Sequence, residues 1–174
     1  MKDSEINTGK LLLVGIGNNG RGDDGLGWKF LDHFRELTGD QIELEYRYQL
    51  QVEDAELISH YETVVFIDAS HQQLQEGFEV RQCEAGNHYY FSSHLQSPEA
   101  ILYLAQVIFN KSPKAYTLAI SGVNWELTTS ISETAASNLH CAMIFFEHAF
   151  LPTIVPFFKA HNMGNKSKSK WIVS

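Results

Sequence analysis

Cysteine is scarce in this chain: its 174 residues hold two, Cys83 and Cys141, whose spacing fits no metal or redox motif. Both are expected to be buried thiols of a reducing compartment. Long apolar runs are missing too. None approaches the roughly 20 residues that cross a bilayer, and the opening MKDSEINTGK lacks the apolar core of an export signal. A cytoplasmic protein without a membrane partner is expected. Positive charge is in short supply, with 13 lysines and arginines against 21 aspartates and glutamates and a formal net charge of -8. That balance argues against nucleic acid or an anionic membrane as the main partner. Three catalytic signatures are also absent: GxxxxGK followed by Ser or Thr, HExxH, and G-x-S-x-G. A P-loop and a nucleophile elbow are thereby excluded, and no short metal-ligand motif is present.

What remains has a globular balance, 44% hydrophobic and 20% charged. The length suits one domain that buries roughly 70% of its unfolded surface. Strand and helix patterns alternate along it. Lys10–Ile16 reads as a buried strand, followed by a helix over about Asp24–Thr38 with Phe30, Leu31, Phe34 and Leu37 at helical spacing and Gly39 as its stop. Ile42–Tyr48 alternates as a half-exposed strand, and Glu53–His60 suits a short helix. The run TVVFID, residues 63–68, is a second buried strand, and Gly77–Cys83 is another. Ser97 is a strong N-cap with Pro98 at the first helical position of a helix reaching Phe109. Ala115–Ser121 makes a last strand. A long helix over about Ser132–Phe150 follows, with Ser130 and Glu133 at capping-box spacing. This alternation predicts a three-layer α/β/α sandwich around a twisted, largely parallel sheet of about five strands. The domain is expected to span residues 1–158, with the basic segment 159–174 as a flexible tail.

The chemistry concentrates in LLLVGIGNNGRGDDGLG, residues 11–27, where a buried strand runs into a glycine-rich turn. Such a loop opening a helix usually suits a phosphate. Here it carries Asp23 and Asp24, which repel one. GIGNNG begins like a dinucleotide fingerprint, but acidic residues follow it instead of a clean helix start. Asp68 closes the run VVFID, so right-handed crossovers would gather the acids that follow strands 1 and 3 at one crevice. Two carboxylates so placed raise each other's proton affinity unless a cation neutralises them. An imidazole could complete the set. His94, in the loop before the Ser97 cap, is the leading candidate among eight histidines, and His71, three residues after Asp68, is its rival. Asp24, Asp68 and His94 would suit a borderline divalent metal such as zinc or nickel better than magnesium, which prefers oxygen alone. Each also has a plainer reading: Asp24 or Asp68 as a cap, His94 as a surface residue. Asp23 reads as a cap or loop brace.

GIGNNGRGDDGLG resembles the N-terminal signature of the nickel–iron hydrogenase maturation endopeptidases: G-x-G-N, a short loop, then D, D or E, and G-x-G. IDAS (67–70) is similar to that family's strand-end D-A segment, and SSHLQSPEAIL (92–102) to its S-x-H segment before a helix. YQLQVED (48–54) is similar to a stretch found in some members. The resemblance covers roughly residues 10–150. It implies an endopeptidase that trims the C-terminal extension of a hydrogenase large-subunit precursor once nickel is in place. The family's metal-contacting trio carries over to Asp24, Asp68 and His94, and the nickel contacted is the substrate's own. Two departures stand out: Asp24 sits where Glu is frequent, and YQLQVED replaces a glycine-rich D-G segment. Other classes left open by the residues are a non-proteolytic scaffold of the same fold and a nucleotide- or nucleoside-binding enzyme using the glycine loop.

Overall fold

The central strands are unbroken apolar runs because helices cover both of their faces. In this computed structural model the described residues are 10–35, 41–86 and 96–155. Strand β1 (Leu11–Ile16) is buried throughout. It is flanked by β2 (Ile42–Arg47) and β3 (Thr63–Ser70); β5 (Lys114–Ser121) and then β4 (Phe78–Cys83) complete the order β2-β1-β3-β5-β4. All neighbours are parallel except β4 and β5. The exception follows from the chain path: residues 71–77 reverse direction without the crossover helix a parallel return needs.

Alternation along the strands divides the core in two. Leu11, Leu13, Val65 and Ile67 face one layer, where α1 (Leu26–Arg35) and α4 (Glu133–Phe145) supply Phe30, Phe34 and Leu139. Leu12, Val14, Val64 and Phe66 face the other, where α2 (Asp54–Ile58) and α3 (Pro98–Phe109) supply Ile58, Ile101 and Ala105. The result is the predicted three-layer sandwich. Helix α1 lies very close to the sheet. A Cβ added at Gly27 would stand 2.5 Å from the carbonyl oxygens of both Ile16 and Ile67.

Several boundaries differ from the sequence reading. The helix expected from Asp24 begins instead as a 3-10 turn, Gly22–Gly25, and becomes α-helical at Leu26. Strand β3 runs on to Ser70 because Ala69 and Ser70 still pair with Ile120 and Ser121. Ser132, not Ser130, caps α4: its hydroxyl accepts the Ala135 N–H at 3.1 Å. The long last helix is broken into α4, a π-helical turn at Phe146–Phe150 and α5 (Leu151–Ile154). Pro152 has no N–H to continue the regular ladder there. Cys83 is buried as expected, but Cys141 is exposed, because α4 buries Ala135, Leu139 and Ala142 and Cys141 falls off that face. The predicted helix end at Thr38 and stop at Gly39 lie outside the described residues, as do the domain limit at 158 and the tail 159–174. Among the described residues no helix is long and apolar enough to cross a membrane.

Candidate active site

From β1 the chain moves to β2 on one side, while β3 pairs on the other, so the sheet has a switch point at the carboxyl ends of β1 and β3. Ligand crevices of open α/β sheets form at such points. A crevice of about 480 Å³ opens there, and its walls include Gly17, Arg21, Asp24, Tyr48, Asp68 and Gln96. Two of the three predicted site residues, Asp24 and Asp68, therefore share one cavity. The third, His94, lies outside the described residues.

Asp24 is placed by the glycine turn. The Asn18 N–H donates to its Oδ2 at 3.0 Å and to its carbonyl oxygen at 3.2 Å, folding the loop back over the strand end. That closure requires glycine at position 17. Its φ is 128°, and a Cβ there would lie 1.9 Å from the Asp24 carbonyl oxygen.

Asp68, read as the last residue of the strand 63–68, lies inside β3, opposite Ala119 of β5, because the strand runs on to Ser70. Its Oδ1 accepts the Ala69 N–H at 2.8 Å. The side chain is solvent-exposed through the crevice, yet protein surrounds the carboxyl on its other sides. Burial pushes that carboxyl up to about 7; the Ala69 N–H opposes the rise and the charge of Asp24 adds to it. A carboxyl so poised can exchange a proton near neutral pH or give its negative charge to a cation.

Asp23 turns the opposite way. It is fully buried, and its Oδ2 accepts from the N–H groups of Val123 and Asn124 and from the Ser132 hydroxyl, each at 2.8 Å. Its Oδ1 accepts the Ser132 N–H at 2.7 Å. Burial raises its proton affinity, but these four donors outweigh that and hold its carboxyl below the usual carboxylate value. Asp23 is thus the loop brace of the two possibilities read from sequence. It fastens the glycine turn to the segment between β5 and α4.

The rival histidine, His71, is exposed and stacks on Trp125 with ring centroids 3.6 Å apart; it is not among the crevice walls. Among the described residues no three His, Cys, Asp or Glu side chains are close enough to hold a metal ion. Asp24 and Asp68 offer two oxygen ligands, so a metal there needs further donors from elsewhere. Sequence reasoning passed over Arg21, although it lies inside the motif between two glycines. It also passed over the device that positions the crevice wall at 48–50. The Arg47 carbonyl accepts from the Gly17 N–H at 2.9 Å and from Trp28 Nε1 at 3.0 Å, while the Arg47 guanidinium reaches buried Asp54 at 2.9 Å. The signal available was YQLQVED itself, whose Asp54 closes a turn by accepting the Gln51 N–H at 2.8 Å.

No protein-family model and no curated protein matches the chain. Solved structures do. A NiFe hydrogenase maturation protease of Thermococcus kodakarensis KOD1 aligns with a TM-score of 0.63 at 18% identity, covering 88% of this chain and 97% of its own. The hydrogenase maturating endopeptidase HybD of E. coli aligns at 0.62 and 16%, covering 83% and 93%. A hydrogenase 2 maturation peptidase of Thaumarchaeota archaeon SCGC_AB-539-E09 aligns at 0.58 and 16%, covering 81% and 99%. The chain has the fold of these hydrogenase maturation proteases over nearly their whole length.

Proposed function

We propose that this chain is an endopeptidase that removes the C-terminal extension of a nickel-loaded hydrogenase large-subunit precursor, acting in the cytoplasm. The observation that carries the reading is the pairing of Asp24 and Asp68 in one crevice at the switch point of this fold. The signature GIGNNGRGDDGLG supports it. An acidic crevice also opposes a phosphate, which weighs against the nucleotide reading.

In this reading the nickel belongs to the substrate, and zinc would serve as a surrogate. Asp24, Asp68 and His94 are its contacts and the residues of the cleavage site. His94 stands two residues ahead of Gln96, which lines the crevice. The substrate's nickel serves as recognition element, as Lewis acid on the scissile carbonyl or water, or as both. The carboxylates, held on a strand and a braced turn, fix the peptide's approach before any bond is broken.

The test is co-expression with the precursor in a host lacking its own processing enzyme, reading large-subunit mass. Wild type is expected to shorten the subunit and His94→Ala to leave it full length. Processing by His94→Ala at the wild-type rate would refute the site. A subunit left full length by wild type would refute the function.

A further inference from the structure

Among the described residues, Arg21 is the cation in the crevice wall, and neither Asp24 nor Asp68 pairs with its guanidinium. Among the described residues that side chain makes no hydrogen bond and no ion pair, although Asp24 and Asp68 line the same 480 Å³ space. Its backbone, in contrast, is pinned on both sides. The Arg21 N–H donates to the Asn18 carbonyl at 3.0 Å, Arg21 bridges to Thr128, and the next N–H, from Gly22, reaches the Thr128 carbonyl at 2.7 Å. Buried Asp23 then locks the turn to residues 123–132. A fixed Cα carrying an exposed guanidinium, without a side-chain partner among the described residues, gives the crevice a positive group besides its two carboxylates.

Guanidinium has five donors and no acceptor, and its fork matches a carboxylate in two parallel hydrogen bonds. A cation held by the two aspartates leaves Arg21 to pair with an acceptor that the peptide brings, and a carboxylate is the acceptor its fork matches best. We propose that Arg21 is a specificity residue that binds a carboxylate of the precursor's C-terminal segment. This rests on the function proposed above and names what the enzyme reads in its substrate. The carboxylate has two possible sources, an acidic side chain of that segment or its terminal carboxyl group.

The experiment measures initial cleavage rates on purified, nickel-loaded precursor. Arg21→Gln should raise KM about ten- to hundredfold, the effect of losing a charge-assisted hydrogen-bonded pair. Its kcat should stay within about twofold, because binding lost equally from substrate and transition state appears in KM. Arg21→Lys should recover part of the loss, keeping charge without the fork. Each acidic residue of the precursor's C-terminal segment is then changed singly to its amide, and separately the terminal carboxyl is amidated. One of these changes should raise the wild-type KM equally and leave Arg21→Gln unaffected, which identifies the source. If wild type cleaves and Arg21→Gln matches its KM, or if every neutralised substrate affects both proteins alike, the role of Arg21 is overturned alone. If wild type cleaves no precursor, the proposed function falls, and this inference with it.

Discussion

Asp23 and Asp24 are neighbours with identical side chains, and the turn between β1 and α1 sends them to opposite fates. Asp23 faces inward to four donors, so removing it strands buried N–H groups. Asp23→Ala is expected to cost about 2–4 kcal/mol, as for other buried charged hydrogen-bond hubs, read as a lower denaturant midpoint. Asp68 has the opposite sign. Its carboxyl binds a proton more tightly folded than unfolded, so between the ordinary carboxylate value and about 7 the folded chain holds the extra proton. Stability contributed by that proton is present at low pH and lost as pH rises through about 7. Asp68→Asn should therefore melt at a higher temperature than wild type at pH 8 and at nearly the same temperature at pH 4. The lowered carboxyl of Asp23 works the other way: its stabilisation is present above the ordinary carboxylate value and lost as pH falls through the folded one. Thermal scans of Asp23→Asn and Asp68→Asn across pH separate the two. If Asp68→Asn lowers the melting temperature at pH 8, Asp68 is a structural residue rather than a strained functional one.

At the scale of elements, the two serine caps are a controlled comparison. Ser97 caps α3 by accepting the Ala100 N–H at 3.3 Å and does nothing else with its hydroxyl among the described residues. Ser132 caps α4 and at the same time donates that hydroxyl to Asp23. Ser97→Ala should cost about 1 kcal/mol. Ser132→Ala should cost about 2–3 kcal/mol, because the cap is lost together with a hydrogen bond to a buried charge. Chemical denaturation measures both, and equal costs would mean that the brace adds nothing. The contact of α1 with the sheet gives a second test. In an open helix Gly→Ala gains about 1 kcal/mol, but at position 27 the new methyl meets two backbone oxygens that cannot move aside. Gly27→Ala should destabilise the fold and displace the Asp24 turn, reducing both melting temperature and cleavage.

Across the whole molecule, the sequence made the architecture legible because continuous apolar runs and βα alternation are local signals. Buried runs at 11–16 and 63–67 announced the two central strands, and their parallel pairing placed the acids after β1 near the acid at position 68. Long-range pairing set what the sequence left open. Asp68 looked like the last residue of its strand because only the partner strand β5 reveals that Ala69 and Ser70 still pair. Asp23 could be narrowed to a cap or a brace, but its donors lie about a hundred positions away in the chain. Ser130 took the capping role on spacing, whereas Ser132 holds it because Asp23 draws the segment in. Arg21 was overlooked since a cation amid glycines has no periodicity to mark it.

If this crevice shortens a hydrogenase large subunit, the mass of that subunit shows it most directly. In a host without its own processing enzyme, intact-protein mass spectrometry of the large subunit should show the full-length precursor alone. Adding wild type should give a single species lighter by a C-terminal segment, and adding Asp24→Ala or Asp68→Ala should restore the full-length mass. A subunit that keeps its full mass with wild type, or loses the segment equally with the Asp24→Ala and Asp68→Ala variants, would contradict the account.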